Sequence, residues 1–402
     1  MATNDAKPWQ PTQTVLVLQG GGALGAYQAG VYQGLHEAGI EPDWIIGTSI
    51  GGINGAIIAG NKPEDRLRKL LDFWSRMGHR PLIDETWLYA TFANAFGGSI
   101  GNFNTIMRGI PGFFAPNPQA AWGIHAPLGI DAAAFYTTEP LRRTLAELVD
   151  FDIVNARRPR LTVGAVNLKS GDMAYFDNRD MALGAEHVMA SGALPPAFPA
   201  VRIGGELYWD GGIYSNTPVE AVLDDKPRRD SLIFSVNVWQ PQGVEPKSIW
   251  QVLGRQKDIQ YSSRVKSHIA RQEQIHRLRH IVQQLCARLP AEAREDAMVR
   301  EMAAYGCQTT MHLVRLLAPR LEGEDHTKDI DFSRAGIRAR WQAGYGDIRR
   351  MLAARPWNRP VGPLDGVVVH ESTQLRSDDE MERTHESRRP TDISRPSKLA
   401  AE

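Results

Sequence analysis

Cysteine is nearly missing from this 402-residue chain: only Cys286 and Cys307 occur, both in its C-terminal half. Two thiols cannot lay down a disulfide framework, and neither sits in a Cys-x-x-Cys spacing or beside a ligand cluster, so both read as structural thiols. No run of about 18 apolar residues is present to span a bilayer as a helix. Neither sign of charge is in excess, with 46 basic and 46 acidic residues, so no overall field points toward nucleic acid. The opening stretch, Met1 to Pro11, lacks the cationic and apolar regions of a secretory leader. A cytoplasmic location is therefore expected, with any contact to a membrane or lipid surface made from outside it. What is present is ordinary for a globular protein: 42% apolar and 23% charged residues, enough for a sizeable core in one large domain with an appendage, or in two domains.

The apolar run Val15 to Leu18 reads as a buried parallel strand. Gly20 to Gly25 follows as a turn, then a helix over Ala26 to Ala38. A second strand, Trp44 to Ile46, leads into another turn and a helix over Gly51 to Gly60, which is the rhythm of βαβ units. Glu64 to Arg76 is an amphipathic helix. Phe92 to Leu128 is rich in Gly, Pro, Phe and Trp and almost uncharged, and reads as a substrate entrance or lid, or as an irregular packed insertion. Further strands are expected at Arg160 to Asn167, Ala174 to Phe176, Leu207 to Trp209 and Ser231 to Val238, with short helices at Leu141 to Leu148 and from Glu186. Beyond these the pattern turns helical: Ile249 to about Leu289 with a basic polar face (Arg255, Lys257, Arg264, Lys266), then Met298 to Leu317 and Ser333 to Ala354. That basic face reads as a solvated surface packed on its own domain, or as a rest for anionic headgroups. From His370 the composition is that of a disordered tail.

Gly47-Thr48-Ser49-Ile50-Gly51 fits G-x-S-x-G, with a strand ending before it and a helix beginning after it. A serine on such a turn exposes its hydroxyl near the positive end of a helix, while flanking glycines let the chain turn and an acyl group approach. Ser49 is therefore the candidate nucleophile, and Gly47, Thr48, Ile50 and Gly51 build its elbow. Gly20, Gly22 and Gly25 also satisfy G-x-G-x-x-G, a dinucleotide fingerprint. That fingerprint needs an acid at the end of the second strand, where Thr48 and Ser49 stand instead. Read the other way, the amides of Gly20, Gly21, Gly22 and Gly25 at a helix start can receive a developing oxyanion.

The base is sought next. His36, His79, His125 and His187 lie in the α/β half, none at a convincing strand end. Asp210 follows the apolar run Leu207 to Trp209 and is held by Gly211 and Gly212, so its carboxyl projects where catalytic groups collect. Partial desolvation would raise its proton affinity and help it take the serine proton.

These three blocks, in this order, resemble the patatin-like phospholipases. Ala190 to Pro199 and Asp210 to Pro218 match the habit of that family too, and the resemblance covers about residues 14 to 225. It implies a three-layer α/β/α fold with a mostly parallel central sheet. It also implies a Ser–Asp dyad without histidine, formed here by Ser49 and Asp210, with Gly21 and Gly22 donating to the oxyanion, and hydrolysis of lipid acyl esters with no cofactor or metal. Leu24 stands where many members carry Arg or Lys, so the resemblance implies the fold but leaves open whether the ester is a phospholipid. The helical C-terminal part resembles an extension on some bacterial members. The implied organisation is an N-terminal segment (1–13), a catalytic domain (14–225), a last core strand followed by a helical extension (226–369) and a disordered tail (370–402). Other activities compatible with these residues are a thioesterase, a storage-polyester hydrolase, an acyltransferase, or a lipid-associated scaffold without catalysis. The oligomeric state is not legible.

Overall fold

The computed structural model describes residues 9–78, 108–321, 324 and 326–372. The expectations placed on residues 1–8, on His79, on 92–107 and on the tail from 373 lie outside the described residues. The first half runs β1 (Gln13–Leu18), α1 (Ala26–Glu37), β2 (Trp44–Thr48), α2 (Ile50–Ala59), α3 (Pro63–Met77), a short pair β3 (Ala115–Pro116) and β4 (Tyr136–Thr137), α4 (Glu139–Leu148), α5 (Phe151–Asn155), β5 (Arg160–Asn167) and β6 (Met173–Asp177). There follow α6 (Ala185–Ser191), β7 (Val201–Ile203), β8 (Glu206–Asp210), α7 (Glu220–Leu223), β9 (Ser231–Asn237), α8 (Ile249–Arg288), α9 (Ala291–Arg294), α10 (Ala297–Ala303), β10 (Met311–Leu317), α11 (Arg334–Ala354) and β11 (Val367–Glu371).

Nine strands form one sheet in the order β11-β10-β9-β1-β2-β5-β8-β7, with β6 also on β5. The run from β11 to β5 is parallel; β6, β7 and β8 are antiparallel additions at one side. A strand covered on both faces reads as an unbroken apolar run, and β1 is such a strand. Its Leu16 and Leu18 belong to the cluster shared with α1, α2 and α11, and its Val15 and Val17 to a second cluster with Val222, Leu223, Val265 and Ile269 of α7 and α8. Helices therefore cover both faces, and the chain has the three-layer α/β/α architecture with a mostly parallel sheet.

Three expectations are corrected. Met298 to Leu317 is not one helical stretch: α10 stops at Ala303, and Met311–Leu317 is strand β10. Nor is β9 the last core strand or His370 the start of a tail, because β10 pairs with β9 and β11, which includes His370 and Glu371, pairs with β10, both parallel. The physical reason is shared. A short, mostly apolar stretch such as Met311 to Leu317 is compatible with a buried helix or a buried strand, and the open edge of β9 offers backbone partners that a helix could not use. The C-terminal part also locks onto the first half through α11, which lies so close to α1 that a methyl on Gly30, Gly34 or Gly344 would drive into the facing helix. Tyr27 of α1 donates a 2.6 Å hydrogen bond to the buried Asp347 of α11.

Candidate active site

Ser49 is the single residue between β2 and α2, with φ 56° and ψ −125°. For a residue with a Cβ this backbone is strained by about 1–3 kcal/mol and persists only where the surroundings dictate it. Here they do. The Ser49 N–H donates to both the carbonyl and the hydroxyl oxygen of Ser191, each at 3.0 Å. A side chain on Gly47 would collide with the Gly51 carbonyl, and one on Gly51 with the Leu18 carbonyl. Thr48 is buried and donates to the Ser215 carbonyl at 3.4 Å. The G-x-S-x-G pattern is thus a steric requirement of the turn, and the half-buried serine sits at the positive end of α2.

Asp210 reaches the same spot through strand register. Residues 162–166 of β5 carry β6 on one edge; β2 occupies the other edge as far as the pair Thr48↔Gly164, and β8 continues that edge from the pair Ala165↔Asp210. The end of β8 therefore abuts the end of β2, and Asp210 arrives one register step beyond Thr48. Its carboxyl accepts the Gly212 N–H at 2.7 Å and the hydroxyl of Ser49. Gly211 packs on the Gly164 carbonyl so closely that a Cβ there would stand 2.5 Å from its oxygen, too near for any side chain. The Asp210 N–H donates to Ala193 O at 3.0 Å, so one short stretch, Ser191 to Ala193, holds the backbone of both residues. Desolvation pushes the Asp210 carboxyl up to about 7, against the smaller lowering effects of the Gly212 N–H and the Ser49 hydroxyl.

The glycine loop abuts Ser49: a Cβ on Gly20 would stand 3.1 Å from that of Ser49. The Gly20 carbonyl accepts from Trp239 Nε1 at 2.8 Å and Asn216 Nδ2 at 3.1 Å. Hydrogen bonds account for the N–H of Gly20 (to Asn216 O), Ala23 (to Asp329 O) and Leu24 (to Gly21 O), and among the described residues for neither Gly21 nor Gly22. The expectation that four glycines serve the oxyanion therefore narrows. Gly20 lines the cavity with its N–H already used, and Gly25 packs behind the loop against Ile50 and Trp74, its carbonyl taken by Asn54. Gly22 has φ 55° and faces the Asp329 carbonyl, where a methyl has no room. Gly22→Ala keeps its N–H but displaces it, and should lower kcat about 100-fold or more with secondary structure unchanged by circular dichroism, as when one oxyanion donor is removed; full turnover in that variant would contradict the oxyanion role expected of the loop.

Ser49, Asp210 and Gly20 to Gly22 open into one cavity. Its wall is apolar and largely aromatic: Phe114 stands 4.9 Å from Tyr136 and 5.3 Å from Phe198, ring centre to ring centre, and Phe113 joins Phe198 and Phe332. Phe113 and Phe114 are the part of the 92–128 segment that the described residues include at this wall. Among the described residues no histidine lines it. His36 pairs with Glu41, His187 is buried on the Gly184 N–H, and His125 is exposed. Among the described residues no group of three or more His, Cys, Asp or Glu is arranged to hold a metal ion. Part of what shapes the cavity was invisible in the sequence. Ser191 and Asn216 lie inside stretches noted above, yet only the fold reveals their bonds. Tyr261, Asp329, Ile330 and Phe332 come from the C-terminal part, where no motif marks them. Asp329 is fixed there by a bidentate contact to Lys257 Nζ at 2.8 and 2.9 Å.

Residues 16–223, just over half of the chain, match the family model of the patatin-like phospholipases, and the chain belongs to that family. A second model, described as Patatin phospholipase, matches residues 259–364. Among curated proteins, "Lysophospholipase nte1" of Aspergillus terreus is 61% identical over 44 residues, 11% of this chain and 3% of that one. "Patatin-like phospholipase domain-containing protein 6" of Mus musculus is 37% identical over 75 residues, 18% of this chain and 6% of that one. The chain thus spans only a small part of the length of these relatives. Of solved structures, VipD from Legionella pneumophila aligns over 96% of this chain and 77% of its own, with a TM-score of 0.35 and 13% identity.

Proposed function

We propose that the protein hydrolyses fatty acyl esters of lipids through an acyl-enzyme, with Ser49 as nucleophile and Asp210 as general base. The Ser49 oxygen attacks the ester carbonyl while its proton passes to the Asp210 carboxylate, and the N–H groups of Gly21 and Gly22 receive the charge that develops on the carbonyl oxygen. Collapse of the tetrahedral intermediate breaks the C–O bond, and the proton on Asp210 goes to the departing alcohol or lysolipid. Water then gives a proton to Asp210 as it attacks the acyl-serine, and collapse breaks the bond to the Ser49 oxygen, which takes that proton back as the fatty acid leaves. The aromatic cavity takes the acyl chain, whose burial there is worth about 0.8 kcal/mol per CH₂.

The observation that carries this reading is the hydroxyl of a strained elbow serine held on a buried carboxyl at the floor of an apolar cavity. A fluorophosphonate probe should label the wild-type chain at Ser49 and leave Ser49→Ala unlabelled. Turnover measured on a phospholipid, a lysophospholipid, an acyl-CoA and a polyhydroxyalkanoate, with and without an added alcohol acceptor, should favour the lipid esters and yield free fatty acid. Label on another residue, or none, would remove the serine mechanism. A dominant thioester, polyester or transfer activity would move the substrate class.

A further inference from the structure

Helix α8 begins with large apolar side chains turned to water. Ile249 is 79% exposed and Trp250 58%, and Val252, Leu253 and Ile259 are exposed as well, with Val244 just ahead of the helix. Ile249, Val252 and Ile259 follow one another at helical spacing, so they form a stripe rather than a scatter. Lys266, one heptad after Ile259, is exposed and extends that stripe with a cation, and Lys247 stands exposed at its front. Between residues 244 and 271 there are six Lys or Arg against two acids. One of those acids, Asp258, is buried against Lys328 at 2.7 Å and contributes nothing outward. An apolar stripe with an interfacial tryptophan and flanking lysines matches the polarity profile of a lipid surface: hydrocarbon beneath, anionic headgroups above.

The same turns touch the cavity wall. Trp250 stacks on His326 with ring centres 4.3 Å apart. Lys257 binds Asp329, and Tyr261 and Asp329 line the cavity. Eleven residues of helix, about 16 Å, separate Trp250 from Tyr261. A second copy of the chain fits the stripe less well, because a two-fold contact would lay one basic helix against another.

We infer that the exposed start of α8 is the docking surface by which the protein sits on anionic lipid, within reach of the cavity that accepts the acyl chain; as to the purpose of docking, this rests on the lipid-ester reading above. The test uses the full chain carrying Ser49→Ala, so that the vesicles stay intact, and flotation with vesicles of phosphatidylcholine alone or mixed with phosphatidylglycerol. Binding should favour the anionic vesicles and weaken as salt rises. Trp250→Ser with Leu253→Ser should lower it about tenfold or more, and Trp250→Phe should restore most of it. With Ser49 intact, the double variant should turn over a water-soluble short-chain ester like the parent. Equal vesicle binding by parent and double variant would overturn the inference, as would a stripe whose substitution abolishes a dimer and leaves lipid binding alone. If vesicles bind as expected and the soluble ester is never cleaved, the surface stands and the hydrolase reading falls.

Discussion

Ser49→Ala should abolish ester turnover, by about 10⁴-fold or more in kcat, with the fold retained. Among the described residues, neither aliphatic hydroxyl next to it in the turn can replace it. Thr48 is buried and points to the Ser215 carbonyl, and Ser191 is fully buried beneath the Ser49 N–H. Alanine also relieves little strain, because the φ of 56° belongs to any residue with a Cβ at that turn. The loss should therefore fall on kcat and not on stability: thermal melting within a degree or two of the parent, binding of a non-hydrolysable acyl analogue unchanged, covalent probe labelling gone. A variant that keeps a tenth of parental turnover would place the chemistry elsewhere.

Asp210→Asn should cost about 10³–10⁴-fold in kcat, since an amide keeps the Gly212 hydrogen bond but cannot take the serine proton. The parent carries a second signature. With the carboxyl pushed up to about 7, kcat/KM should climb with pH through about 7, a rise that an ordinary aspartate would complete near pH 4. The same shift has a stability consequence of opposite sense. A folded carboxyl whose proton affinity exceeds that of the unfolded chain helps the fold below the unfolded value, about 3.8, and loses that help as pH rises through about 7. Asp210→Asn should then melt like the parent near pH 4 and progressively higher above it, by an amount that levels off beyond pH 7. A less active, more stable variant with that pH profile is the expected result. An activity profile flat from pH 5 to 8 in the parent, or an amide variant destabilised at pH 8, would refute the assignment of the base.

The legible parts of this protein are those where backbone leaves no room for a side chain. Gly47 against the Gly51 carbonyl, Gly51 against the Leu18 carbonyl and Gly211 against the Gly164 carbonyl had to be written as glycine, so the elbow and the Asp-Gly-Gly turn stand out in the bare sequence. Ser191, Asn216, Gln19 and Trp239 did not stand out, because their roles rest on which strands lie side by side. Gln19, fully buried, binds the N–H of Val238 and Trp239 and the Tyr261 carbonyl, partners 219 to 242 residues away. The helical stripe of α8 was legible as a period but not as an exposure: Ile259 and Leu278 share its spacing with the buried Val265 and Ile269, and face water. Strand β10 was misread because five apolar residues suit either geometry until a partner strand is known.

The hydrogen bond from Ala23 to the Asp329 carbonyl ties two regions that family models match separately. A shortened chain ending near Leu223 would lack β9, baring one whole edge of β1, and would lack the carbonyl against which Gly22 is shaped. Grafting the front region onto a foreign back half must therefore supply both a strand for that edge and an acceptor over the first glycine turn. In that sense the back half behaves as an intramolecular chaperone for the loop ahead of the serine, and the two segments are expected to change together or not at all.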